Sequence, residues 1–302
     1  MIKTISTFIG SMLVFAFGLA AGLVDCNHRV VGDITEIKEA REVGETGGAG
    51  GAKANVTIEL GDGVVMEFVL IPAGSFQMGS DENSGDGDES PIHPVTLTQP
   101  YYLGRYEVTQ AQWEKIMGNN PSKFRGDKLP VESVSWNDCQ QFLAKLQQKV
   151  GRKFALPTEA QWEFACRSGT TTPWSFGPQA DSAVDFAWIG ENSGASPHPV
   201  GQKKPNAWGL YDMHGNVWEW CADWYNKHAY SNNADKDPSG PASGENRISR
   251  GGAWGDNPDG VRSAVRNCNG PDGANQGLGL RCVLLIESVA PPPSSGLKSS
   301  AP

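Results

Sequence analysis

Three stretches of the chain carry apolar residues at helical spacing, each opened by a capping signal. In "VTQAQWEKIMG" (108–118), Trp113, Ile116 and Met117 share a face. Thr109 and Gln112 have the spacing of a capping box, and Gly118 closes the last turn. In "SWNDCQQFLAKLQQKVG" (135–151), Cys139, Phe142, Leu143, Leu146 and Val150 recur behind Ser135 and stop at Gly151. In "LPTEAQWEFACRSG" (156–169), Thr158 and Gln161 form a second box, and Trp162, Ala165 and Cys166 face inward. Extended stretches predict strands at "MEFVLIP", "HPVTLTQPYYLGRYEV", "RISRGGAW" and "LGLRCVLLI". Residues 169–241 are mostly turn-forming, with Trp and Tyr scattered among them. A few short helices, a small antiparallel sheet and long ordered loops predict an α+β domain.

The flanks read differently. Lys3 followed by "FIGSMLVFAFGLAAGL" (8–23) has the form of an export signal, with residues 1–22 removed after the small residues. An uncleaved membrane anchor is the rival, because the apolar run approaches spanning length. "LVDC" ending at Cys26 also invites a lipid anchor, although Asp25 is a poor neighbour for one. All three place the protein outside the cytoplasm: exported, in the periplasm, the cell envelope or secreted. Residues 23–60, with "GETGGAGGAKA", form a polar Gly-rich tether. The domain is expected over 61–287, followed by a Pro/Ser tail at 288–302.

Composition narrows the function. Of 302 residues 38% are hydrophobic, enough for one sizeable core, and 37 Gly, 20 Pro and 10 Trp favour a loop-rich fold over a bundle. The net charge of −9 argues against nucleic acid as a partner. The five histidines show no metal spacing, and no paired CxxC suggests zinc. An exported chain can form disulfides, yet Cys139 and Cys166 sit on the inward faces of their helices, where free thiols also pack. Only Cys268, in "RNCNGPDG", has a reactive setting, and a lone thiol is a weak catalytic signal.

Two segments carry denser chemistry. "GLYDMHGNVWEWCADW" (209–224) sets Asp212 and Glu219 on either side of a Gly215–Asn216 turn, an oxygen-rich arrangement suited to calcium. The alternative is that Trp218 and Trp220 are core and Glu219 pairs with an arginine. "RGGAWGDNPDGVRSAVRN" (250–267) has the make-up of a site loop but no Cys, His or obvious nucleophile.

Together, "FVLIPAGSFQMGS", "YYLGRYEVTQAQW", "PVESVSWNDCQQF", "FALPTEAQWEFACRSGT", "NAWGLYDMHGNVWEWCADW", "RISRGGAW" and "GLGLRCV" resemble the sulfatase-modifying-factor family, whose best-known members are formylglycine-generating enzymes. The resemblance implies a variant of the C-type-lectin fold. It implies a calcium site formed by Asp212, Gly215, Val217 and Glu219, and a possible disulfide between Cys139 and Cys282. It also implies a copper(I) site of two cysteines, the first of which here falls at Asp256 and the second near Val261 or in a segment this chain lacks, while Ala253 replaces the family serine. Hard oxygen donors do not hold copper(I) as thiolates do. The expectation is therefore calcium and no copper. The loop becomes a ligand groove lined by Trp254, Asp256, Asn257, Arg262 and Arg266, which meets an unknown protein or peptide partner in the cell envelope. The arginines could instead be buried structural pairs. The membrane would be met only through an uncleaved N-terminal segment. The alternative function is an active oxidase converting a sulfatase cysteine to formylglycine.

Overall fold

Alternation in "NVTIELG" points Val56, Ile58 and Leu60 to one side, and that side is buried. This makes β1 (Asn55–Gly61), which pairs antiparallel with β2 (Val64–Ile71) across a tight turn. In the computed structural model, residues 55–81, 85–231 and 235–286 are described. They all lie in one compact unit, Glu39–Pro302. The expected signal or anchor, most of the tether and the tail at 288–302 lie outside the described residues. The domain boundary expected at 61 is corrected. The period-2 pattern ahead of it belongs to a core strand, so the ordered domain begins at 55 at the latest.

The chain continues through β3 (Gly74–Met78), β4 (His93–Leu97), β5 (Tyr101–Gly104), α1 (Gln110–Met117), α2 (Trp136–Val150), β6 (Phe154–Ala155) and α3 (Glu159–Arg167). The later elements are α4 (Ala183–Phe186), β7 (Trp218–Trp224), β8 (Arg247–Arg250), β9 (Asn267–Asn269), β10 (Leu278–Gly279) and β11 (Val283–Leu284). Among the described residues one sheet has the order β1-β2-β5-β11-β6 with every pair antiparallel. A second runs β10-β7-β8-β9, in which only β10 and β7 are parallel, and β3 pairs with β4. The architecture is α+β.

Both expected capping boxes form, Thr109 with Gln112 and Thr158 with Gln161, and the expected cap Ser135 makes a third box with Asp138. Gly118 and Gly151 close α1 and α2 in the left-handed conformation that glycine adopts freely. Helices α1 and α2 cover the five-stranded sheet, with Trp113 stacked on Phe142 at 5.0 Å. Helix α3 packs against β3, β7 and β8. It is buried almost all round, including Glu159, Glu163 and Arg167, so its charged groups must find partners inside. Those partners build the site.

Candidate functional site

The loop 250–267 leaves the second sheet at the end of β8 and returns as β9. Its two ends carry buried arginines, Arg250 and Arg266, that are held by the glutamates of α3. Arg250, fully buried, donates to the carbonyls of Ser263 (3.0 Å), Ala264 (2.6 Å) and Val265 (2.5 Å) and to the Glu163 carboxylate. It thereby ties the outgoing strand to the returning one. Arg266 forks onto Glu159 through Nε (2.7 Å) and Nη2 (3.0 Å), and the Tyr230 hydroxyl donates to the same carboxylate. Burial alone would raise Glu159; Arg266 and Arg250 outweigh it and hold the carboxyl below its usual range. Ionised pairs so far from water are costly to break, at about 3–5 kcal/mol for removal of one partner.

Between these ends the backbone turns at Gly251 and Gly252, with φ of +100° and +79°. A Cβ on Gly252 would lie 2.4 Å from Val261 Cγ1, so a side chain there has no room. The turn 212–217 presses on the loop from the other side. Gly215 N–H donates to Gly251 O, and Trp254 N–H donates to Asn216 O, both at 2.8 Å. His214 Nδ1 donates to Val261 O (2.8 Å), while its Nε2 accepts from Ser175 N–H (3.2 Å) and Oγ (2.8 Å). These partners assign a neutral ring, and burial pushes its pKa down to about 4.

The positions that the family resemblance makes chemical are spent on structure. Val261 is fully buried in an apolar cluster with Trp174, Ala183, Ala187 and Ile189. Asp256 accepts from Ala253 N–H at 2.8 Å; burial, partly offset by bonds from Ala253 and the Trp218 side chain, raises its pKa. Asn257 caps the 3-10 turn that follows by accepting from Gly260 N–H at 2.9 Å. Trp254 donates to Gln276 O (3.1 Å) and meets Phe124 edge-on. The five expected groove residues do not share one groove. Arg266 is buried on Glu159, so its role is the structural pairing that the sequence left open. Arg262 forks onto the buried Glu89 (2.8 and 2.9 Å) and borders a cavity that none of Trp254, Asp256 and Asn257 lines.

Cys166, on α3, lies 3.6 Å from His214 Nε2 and from Ser263 Oγ. Burial pushes it up to about 12, so this Cys–His contact joins two neutral groups and not a thiolate to an imidazolium. Cys139 and Cys282 pack in the same core cluster as free thiols, and the possible bridge between them is not formed in this structure. Cys268 lies in strand β9 and is partly buried, and burial raises its pKa, against the reactive loop setting read from the sequence.

At the Trp-rich turn, Asp212 adopts φ +57° and accepts from Gly201 N–H (2.7 Å) with Oδ2, leaving Oδ1 buried without a partner. Glu107 accepts from Asn216 Nδ2 (2.6 Å) and Val217 N–H (3.0 Å). Burial, together with Asp212 and Glu219, places Glu107 well above the usual carboxylate range. Burial likewise raises Asp212 to about 6. Glu219 is fully buried, with Arg281 on both oxygens (2.6–3.0 Å) and Trp162 Nε1 at 2.7 Å. Asp212 therefore suits a hard cation, while the lone pairs of Glu219 are engaged by Arg281 and Trp162. Among the described residues, no three His, Cys, Asp or Glu side chains converge closely enough to hold a metal between them. The partners Glu107, Glu159, Glu163 and Arg281 were not singled out in the sequence. The signal for Glu107 was an acidic residue inside the otherwise strand-like "YYLGRYEV".

Small mixed sheets, a few capped helices and a glycine-turned loop clamped over a Trp-rich strand define a C-type-lectin-like scaffold of the formylglycine-generating-enzyme kind. Residues 59–286 match the sulfatase-modifying factor enzyme 1-like domain, and the chain belongs to that family. It is 31% identical over 248 residues to the serine/threonine-protein kinase pkn1 of Chlamydia pneumoniae, covering 72% of this chain and 38% of the kinase. It is 32% identical over 207 residues to the formylglycine-generating enzyme of Mus musculus, covering 63% of this chain and 53% of that enzyme. The chain thus spans roughly two fifths to one half of these relatives. Among solved structures it is similar to Treponema denticola variable protein 1, with a TM-score of 0.72 and 32% identity over 78% of this chain and all of that one.

Proposed function

We propose that this chain is an exported member of the family that binds a ligand or protein partner in the cell envelope and does not oxidise cysteine. The observation that carries the reading is the content of the 250–267 loop. Val261 is sealed in an apolar cluster and Asp256 is tied to Ala253 N–H. Copper(I) is a soft ion that needs soft donors, and neither residue supplies one. The nearby Cys166 is a buried thiol held protonated. The loop keeps its shape because the two arginine pairs and the glycine turn, rather than a metal, enforce it.

The test is titration of the purified protein with copper(I) against a competing chelator, with oxygen uptake measured in the presence of a sulfatase-motif cysteine peptide. We expect no retained copper and no uptake above the peptide alone. An aldehyde formed on the peptide by the unmodified protein would make the oxidase reading correct.

Calcium at the 212–219 turn is part of the proposal, and the partnerless Asp212 Oδ1 supports it. When bound, the ion would supply positive charge to a turn that buries Glu107, Asp212 and Glu219 against Arg281. Asp212 and the Gly215 and Val217 carbonyls would hold it, with Glu219 contributing only if Arg281 yields. Added calcium is then expected to raise the melting temperature of the wild type but not of Asp212→Ala, because a ligand stabilises the state that binds it. A wild-type melting temperature indifferent to chelator and to calcium removes calcium from the proposal.

A further inference from the structure

We propose that a surface cavity of about 180 Å³, lined in part by Ser80, Ile92, Arg167, Thr171, Thr172 and Arg262, receives an acidic side chain from an extended peptide segment of a partner protein. The inference stands whether or not the neighbouring loop has oxidase activity.

The charges at the cavity are asymmetric. Arg167 and Arg262 form part of its wall, whereas their counter-ions Glu163 and Glu89 are fully buried and lie outside the lining. Each guanidinium is already fixed. Arg167 is held by Glu163 (2.8 Å), Gly79 O (2.8 Å) and Thr172 O (3.2 Å), and Arg262 by its fork onto Glu89. Among the described residues the hydrogen bonds of Arg262 run from Nη1 and Nη2 to Glu89, and a guanidinium carries more N–H donors than one carboxylate uses. A ligand carboxylate therefore meets a preorganised donor set and need not order two long side chains, which is the usual cost of such contacts. Asp81 also borders the cavity, so the anion is directed to the Arg167–Arg262 side.

The remaining lining selects the rest of the ligand. Ile92 is 46% exposed, one of the few large apolar side chains left in water, and Pro173 and Ala264 add apolar surface. The Thr172 hydroxyl donates to Trp174 O and the Ser80 hydroxyl to Glu89, so both can act only as acceptors toward a ligand, as peptide N–H groups require. An acidic residue beside an aliphatic one, in extended backbone, satisfies all of these groups together.

The test uses calorimetric titration of the purified full chain with the blocked dipeptides acetyl-Ile-Glu-amide and acetyl-Ile-Gln-amide, and with succinate. The Glu dipeptide is expected to bind about tenfold or more tightly than the Gln one, and less tightly as salt is raised. Thr171→Glu, at an exposed position with no buried partner, places a like charge at the mouth and is expected to abolish binding while leaving the melting temperature unchanged. Ile92→Ser is expected to weaken the Glu dipeptide several-fold. Equal affinity for the two dipeptides, absence of binding, or binding indifferent to Thr171→Glu overturns the proposal. Succinate binding as tightly as the Glu dipeptide overturns the assignment to a peptide. None of these outcomes depends on copper retention or aldehyde formation, so failure here and failure of the binding-module reading can be told apart.

Discussion

Asp223 is buried on β7 and accepts Glu159 N–H at 2.8 Å. Burial and the neighbouring Glu159 raise its pKa to about 7, with Arg266 opposing; Arg247 is the other cation that feels it. Between its ordinary value of 3.8 and about 7, the folded chain holds a proton that the unfolded chain has lost. Stability from this residue is thus present below the lower value and is lost as pH rises through the upper one. His214 has the opposite sign. Its folded pKa of about 4 lies below the ordinary 6.5, so its contribution is lost as pH falls. Across the shared window the two slopes oppose each other. Asp223→Asn keeps an acceptor for Glu159 N–H and removes one slope. The variant is expected to be more stable than wild type above pH 7, by roughly 1–3 kcal/mol, and to lose one descending slope below it, leaving His214 opposed by the raised carboxyls of Glu107, Asp212 and Asp256. Urea denaturation at a series of pH values measures both effects. An unchanged pH profile would mean that water reaches Asp223.

At the scale of elements, Thr158 tests how far a capping residue reaches. Its side chain accepts Gln161 N–H at 3.1 Å and starts the helix that carries Glu159 and Glu163. Thr158→Ala is expected to lower stability by about 1 kcal/mol, with near-ultraviolet dichroism from the surrounding Trp residues unchanged. The helices could be read from the sequence down to their caps, because capping boxes and apolar spacing are local signals. The strands were less legible. "HPVTLTQPYYLGRYEV" reads as one run yet becomes β4 and β5, which pair with different sheets. Strand β7 was missed altogether. One face carries Glu219, Cys221 and Asp223 and the other Trp218, Trp220 and Trp224; with Trp220 fully buried as well, both faces are covered and the strand shows no polar-out alternation. Only remote partners make that tolerable: Arg281 for Glu219 and Glu159 N–H for Asp223. No local pattern announces them. The same holds for the site: loop 250–267 stood out, but the sequence could not say which of its arginines faced inward.

For the whole molecule, β1 shows what a domain boundary placed by motif alone would discard. Val56, Ile58 and Leu60 belong to the main core cluster together with Trp113 and Phe142 on the helices. A chain truncated to begin at residue 61 loses those three side chains and uncovers the edge of β2. At about 1.5–3 kcal/mol for each buried aliphatic side chain, several kcal/mol are at stake, a large share of a typical domain's net stability. Truncation is therefore expected to move the denaturation midpoint far downward or to abolish cooperative unfolding. A midpoint equal to that of the chain beginning at residue 55 would show that the strand is dispensable.

The arginine clamp beneath the 250–267 loop also has a consequence in time. A covering loop that swings open does so by breaking few and exposed contacts, and regions that open alone are those with little buried support. Here Ser263, Ala264 and Val265 are tied through Arg250 to Glu163, and Arg266 to Glu159, all in the interior. The base of the loop can move only when α3 and β8 come apart, an event close to unfolding of the domain. Exchange of the amide hydrogens there should therefore keep pace with the strands of the core, and whatever binds to this face meets a surface that is already set.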